Sequence, residues 1–480
     1  LFQEYLYGRL GQGEKRLMHR DVGGNLEKRL FGAVPFDAGA ADGDPLSAAL
    51  DERLETGDAV HLLDSCGPSL AHHFLLGEDW LKAAAYYMRA GSRALKVFAL
   101  REALDDYTRA VQALDNAPSP PPVMVFKSIM GWQEAAFKLQ PYAEQLQQLA
   151  RAEKIARELQ DDRRLLKARH WTANVYLARG LWTSAGPALM ECLGLAQTLG
   201  DERLAVRPTY FQGLMTTFVD PRTALGVLDE ALRLAGRHGD TQIAALALGT
   251  MGQMHAQLGQ FAVAQEELQQ AHATLQDVTS PLTESDVDLL SAWACLAMGD
   301  LQHSLAYGQQ SVEKAIATDN LECICSAYTC VGYGNLEMQR IDEAAAAFNE
   351  AIKRSQLIGA ITSRLLGQAG LAMTQFWSGR AAAANDLETA LVEMQGIDNR
   401  VGAANAAQML GACLMQSGDL PRAEETLTTA RDFYQGTGMR PYLLRTLSSL
   451  AQLYEVQERP AEAQECQAAA AQLMQELVAS

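Results

Sequence analysis

The sequence predicts an all-α chain built from about nine stacked helical hairpins with a period near 40 residues, preceded by extra N-terminal helices. Three observations predict it. A fixed order of small and large apolar residues around a turn returns at a steady interval. Ala and Leu dominate the apolar composition, with few β-branched clusters. No stretch alternates apolar and polar residues in the manner of a half-buried strand.

The template is clearest over residues 252–271. Gly252, Ala264 and Ala271 are small and let two backbones approach, Gly259 supplies the turn, and Phe261 and Leu268 fill the remaining space. The turn position returns at Gln140, Gly180, Val219, Gly259, Gly299, Gln339, Ser378, Gly418 and Glu458, at intervals of 39 or 40. The small position after it is Ala at Ala185, Ala224, Ala264, Ala344, Ala383, Ala423 and Ala463. The copy turning at Gly299 is the weakest, with Ser304 and Gly308 where Ala and Leu are expected. This pattern resembles the tetratricopeptide repeat, in a longer-period form that extends both helices. The resemblance covers the region from Val123 to Ser480. It implies a right-handed superhelix in which the first helix of each hairpin lines a concave surface.

In chain order, residues 1–35 carry two amphipathic stretches, with Leu1, Tyr5 and Leu6 on one and Leu17, Val22, Leu26 and Leu30 on the other. Together with Phe2, Glu14, Arg16 and His19 they resemble the end of the helical or winged-helix regulatory module that follows the nucleotide-binding domain in bacterial STAND signalling ATPases, such as the maltose-operon activator and cyclase-linked relatives. That resemblance implies an upstream nucleotide-binding domain in the same parent, and the start at Leu1 reads as a piece of a longer protein. Residues 36–45, rich in Gly, Ala and Asp, read as a flexible loop. Residues 46–116 form a helical, repeat-like lead-in. There Trp80, Ala83, Tyr87 and Ala90, then Leu100, Ala103, Tyr107 and Ala110, fit the hairpin template at half a repeat, which suggests one long helix shared by two pairs. Residues 117–122, with Pro118, Pro120, Pro121 and Pro122, stop the helix and form a linker. The array itself occupies residues 123–480. Its last helix bears Leu473, Met474, Leu477 and Val478 with no following helix to cover them. Either a homodimer through this C-terminal helix shields that face or the patch is small enough to stand in water.

Formal charge of −18 argues against nucleic acid or an anionic membrane as the main partner. No run of 18 apolar residues and no signal-peptide pattern occurs. Eight unevenly spaced cysteines, several at helix-packing positions such as Cys192, read as reduced thiols and point to a cytoplasmic setting.

The sequence lacks the signs of catalysis. Gly8, Gly13 and Lys15 lack the Gly-Lys-Ser/Thr ending of a phosphate loop and follow no strand, so no nucleotide site and no cofactor are expected here. Cys295, Cys323, Cys325 and Cys330 fall at helix positions and read as packing residues before zinc ligands. Adjacent His72 and His73 diverge by about 100° on a helix and do not share an ion easily. Asp105-Asp106 and Asp161-Asp162 could hold magnesium only on a cavity wall. Asp161-Asp162 reads instead as a solvated connection, being followed by Arg163-Arg164.

Binding is the positive signal. Projecting the inward positions of the first helices gives a set that begins with Lys127, Met130 and Glu134. Its central candidates are His170, Asn174, Gln253, Gln257, Trp293, Thr329, Tyr333 and Gln375. Amides and hydroxyls around aromatic faces suit a small polar ligand or a peptide backbone. Set against this, Gln and Thr are also ordinary solvent-facing helix residues. The Lys and Asn clamp of chaperone-binding tetratricopeptide domains is matched only by Asn174. The reading is a non-catalytic ligand-sensing and protein-interaction region of a larger STAND-type regulator. The alternative is a constitutive scaffold that holds a peptide or protein partner.

Overall fold

The computed structural model describes residues 7–31, 57–276, 280–380 and 382–478, and every regular element among them is helical. The 36–45 loop and the residues Leu1 to Leu6 that carry part of the STAND resemblance lie outside these. Contacts divide the chain into residues 1–168 and 169–480.

The first unit holds α1 (Gln12–Phe31), α2 (Gly57–Leu76), α3 (Trp80–Lys96), α4 (Leu100–Asn116), α5 (Pro122–Leu139), α6 (Tyr142–Glu158) and the start of α7 (Asp162–Ala178). Where the half-repeat spacing suggests one long helix, two of 17 residues stand as a hairpin. The chain breaks at Phe98, whose φ of 59° no α-helix accommodates. Tyr107 on α4 lies between Gly91 of α3 and Gly131 of α5, and a Cβ at either glycine would strike its ring. Pro122 opens α5 at a position where a missing N–H costs nothing.

The second unit continues α7 and adds α8 (Trp182–Leu199), α9 (Val206–Thr217), α10 (Pro221–His238), α11 (Thr241–Gln257), α12 (Phe261–Leu275), α13 (Pro281–Met298), α14 (Leu301–Ala317), α15 (Leu321–Glu337), α16 (Ile341–Ile358), α17 (Ile361–Trp377), α18 (Ala383–Gly396), α19 (Arg400–Gln416), α20 (Leu420–Thr437), α21 (Arg440–Val456) and α22 (Pro460–Val478). These form tetratricopeptide-like hairpins at the expected period. Ala264 and Ala271 are fully buried, and a Cβ on Gly252 would lie 2.9 Å from Leu268 Cγ and 3.1 Å from the Ala264 carbonyl. At the weak copy, Gly308 is required: a Cβ there would come within 2.8 Å of Val331.

A rhythm twice as fast as the sequence period underlies this. Backbone φ turns positive at Gly180, Gly200, Gly239, Gly259, Gly299, Asp319, Gln339, Gly359, Gly379, Asp398, Gly418, Gly438 and Glu458, one helix apart or two. In most repeats of this unit both links therefore end a helix in the same left-handed way, while the turn at Val219 does not use it. At the seventh copy the left-handed residue is Gly379, one position after Ser378, because glycine takes that conformation without a Cβ clash. Asx side chains often follow as caps, with Asp240, Asp300, Asn320 and Asn399 accepting from backbone N–H groups three residues on.

First helices of successive hairpins pack on one another, α11 on α13, α13 on α15 and α15 on α17, which puts them on the tightly curved side of this unit. The curvature continues until late hairpins reach early ones. Val401 N–H donates to the Phe218 carbonyl at 3.0 Å. Ile397 lies over Gly180, the Arg222 guanidinium against Gly438, and Leu477 against Gly259. Helix α21 contacts α11 and α13.

Candidate functional site

The projected residues earliest in the second unit lie on α7. Asn174 is buried, and its amide lies 3.3 Å from His170 Nε2. The His170 ring meets the edge of Phe211 from α9 at 5.3 Å. Burial, and then the Arg207 guanidinium, push the imidazole pKa down to about 3, so the ring is neutral near pH 7. A neutral imidazole has one N–H and one bare nitrogen. If the Asn174 amide donates to Nε2, then Nδ1 carries the proton, and the Asn174 carbonyl is free to accept. If the amide is turned round, donor and acceptor exchange places. Either way the pair leaves one donor and one acceptor over. His170 Nδ1 and Asn174 Oδ1 are both buried without a hydrogen-bond partner among the described residues, as is Gln257 Oε1 at the end of α11. Buried polar atoms of this kind cost about 1–3 kcal/mol each when left unsatisfied.

The other projected residues are placed differently. Gln253 is half-buried on α11. Thr329 is fully buried, with its hydroxyl donating to the Cys325 carbonyl at 2.9 Å. Tyr333 uses its hydroxyl on the Leu366 carbonyl at 2.9 Å. Gln375 Oε1 accepts from Arg380 at 2.7 Å. Trp293 and Tyr333 come together, ring centroids 6.0 Å apart, and Tyr333 also meets Phe348 edge-on at 5.0 Å. The fold thus pairs His170 with Asn174 and Trp293 with Tyr333.

Sequence reasoning missed Tyr442 and Arg445 on α21. Tyr442 packs against the core between α11 and α13, and its ring lies 5.5 Å from Tyr434. Arg445 reaches Glu337, 108 residues earlier, at 2.7 Å. A repeat period records neighbours, so contacts made one superhelical turn away leave no local signal.

Elsewhere, His73 lies 2.9 Å from His19 between ring nitrogens, and Tyr7 completes the row with a 2.9 Å contact to the other nitrogen of His19. Among the described residues no group of three His, Cys, Asp or Glu side chains is arranged to hold a metal. Cys323, Cys325 and Cys330 are buried and take part in no disulfide. Asp161 caps α7 through the Arg164 N–H and pairs with the Arg164 guanidinium. No described helix is long and apolar enough to cross a membrane.

No protein-family model matches the chain, and no curated protein matches it. Among solved structures, it is similar to a Rap protein complexed with Competence and Sporulation Factor, at 13% identity and TM-score 0.50, covering 82% of this chain and 98% of that one. It is also similar to a STAND protein with a tetratricopeptide repeat sensor from Pyrococcus horikoshii, at 13% identity and TM-score 0.39, covering 78% of this chain and 53% of that one. A third is the apo quorum sensor NprR from B. thuringiensis, at 11% identity and TM-score 0.40, covering 81% and 97%. The first likeness carries the fold, an array of tetratricopeptide-like helical hairpins.

Proposed function

We propose that this chain is a non-catalytic sensor array that holds a peptide, or a small ligand rich in amides, on the inner face of its second unit. The observation that carries the reading is the unfilled donor and acceptor at His170 and Asn174. A backbone amide offers the complementary acceptor and donor, and the neutral imidazole demands no charge of its ligand. The likeness to a Rap protein complexed with Competence and Sporulation Factor supports a ligand within such an array. Buried thiols fit a reducing, cytoplasmic location.

The parent in this reading is a STAND-type signalling ATPase, with the array following residues 1–35 and an upstream nucleotide-binding domain. Ligand binding would bias the curvature of the second unit only by its differential affinity for two states. The contact between Arg445 and Glu337 is one that such a change would break or make.

The test is thermal stability of the full chain with a pool of short synthetic peptides and a metabolite panel. A binder should raise Tm, and Asn174→Ala should weaken it about tenfold, the worth of one well-made hydrogen bond. Undiminished affinity in that variant would remove this site. No shift with either set, together with retention of a folded protein in pull-down, would favour the constitutive scaffold.

A further inference from the structure

In the first unit, a cavity of about 360 Å³ opens between α3, α4, α5 and the start of α7, where its lining residue Lys167 precedes His170 by three residues. Its floor is fixed. The Tyr107 ring is held between Gly91 and Gly131, where no side chain fits, and Phe126 and Met130 are buried beside it. Its rim is cationic: Lys96 from α3, Lys127 from α5 and Lys167 from α7 converge on it against a single carboxylate, Glu134. Lys96 and Lys167 make no ion pair with a described residue. In a chain of formal charge −18, three ammonium groups from three helices around an apolar pocket are a local reversal of the average field.

We propose that this cavity binds an organic anion, with its phosphate or carboxylate among the lysines and an aromatic or aliphatic arm on Tyr107, Phe126 and Met130. The rigid apolar floor supplies area without reordering, and the flexible lysine stems adapt to the anion. Glu134 disfavours a second negative charge on the arm, so the ligand class is one with a single charged end.

The experiment titrates the full chain with 1-naphthyl phosphate, 1-naphthoate and neutral 1-naphthol, followed by probe fluorescence. Lys96 and Lys167 are exposed, so the Lys96→Gln/Lys167→Gln double variant should fold with an unchanged Tm. The proposal expects at least one anion to bind, about tenfold more weakly in the double variant. Affinity should also fall between about 50 and 500 mM salt. The tighter of the two anions tells phosphate from carboxylate. Equal binding by 1-naphthol, equal binding by the double variant, or no binding of either anion overturns it. The Asn174→Ala variant should bind these anions as tightly as the wild type does, which keeps the result distinguishable from the peptide reading at His170 and Asn174.

Discussion

Leu477, near the end of the last helix, lies against the backbone of Gly259, in the turn of a hairpin more than 200 residues earlier. Gly259 has φ 78°, and a Cβ there would also strike the Leu477 side chain. Gly299, one repeat on, has φ 81° with nothing within 4 Å of that position. Alanine at either site should lose about 1 kcal/mol to backbone strain. Gly259→Ala should lose about 1–3 kcal/mol more through overpacking. Urea denaturation of both variants measures the difference, and Leu477→Ala in the Gly259→Ala background should recover most of it. Equal losses at the two glycines would mean that the last helix does not close on the early hairpin.

Ala264→Leu tests the register of the repeat itself. The residue is fully buried, and its carbonyl lies 3.1 Å from where a Cβ on Gly252 would stand. Three extra carbons have no room there, and a loss of about 1–3 kcal/mol is expected, seen as a fall in Tm. Unchanged stability would place the small face of α12 elsewhere.

The hairpins were legible because their packing is local. Ala264, Leu268 and Ala271 recur at helical spacing, and each copy buries itself against the next. The 20-residue alternation of left-handed links was hidden because Asp319, Gln339, Asp398 and Glu458 adopt it as well as glycines. The lead-in segment was misjudged for the same reason: Phe98 breaks the helix, and phenylalanine is no turn signal. The C-terminal face that suggested a dimer is in part covered from within the chain, since Leu477 is buried while Met474 and Val478 stay exposed. His170 and Asn174 were found from inward spacing, but that they face each other with polar atoms to spare required coordinates.

Thiol reactivity follows from burial. Cys192, Cys295, Cys323, Cys325, Cys330, Cys413 and Cys466 are buried and Cys66 is half-buried. Burial pushes Cys295 up to about 11 and Cys325 and Cys413 up to about 12, suppressing the thiolate. In the native chain an aromatic disulfide reagent should modify Cys66 first and the rest only on unfolding. Rapid modification of Cys323 or Cys325 would contradict the packing of α15.

Asp106 gives stability an acid-side term. Burial, and then the Glu102 carboxylate, push its pKa from 3.8 to about 6 against the pull of Arg109. A folded-state pKa above the unfolded one stabilises fully below about 3.8, and that stabilisation is lost as pH rises through about 6. Asp106→Asn removes the buried charge and should raise stability at pH 7 by about 1–3 kcal/mol. It should also flatten the slope between pH 4 and 6, which denaturation at a series of pH values reads. A variant with the wild-type slope would show that Asp106 is solvated.

His170 works in the opposite sense. Its folded-state pKa is depressed from 6.5 to about 3 by burial and by Arg207, so the neutral ring contributes stability above 6.5 that is lost as pH falls toward 3. His170→Gln keeps an amide donor and acceptor beside Asn174 but cannot titrate, and should reduce the acid loss over that window. Ring nitrogen shifts in a labelled chain give a direct reading: at pH 5 His170 should carry one proton, its tautomer set by whichever atom of Asn174 meets Nε2. A ligand that fills the vacant hydrogen bonds should hold that tautomer and lower the apparent pKa further, because protonation would place a second N–H where the amide of Asn174 or of the ligand already donates. A ring that charges near pH 6.5, with or without ligand, would show that water reaches Nδ1, and the inner face at α7 would then have no unmet hydrogen bonds for a peptide to satisfy.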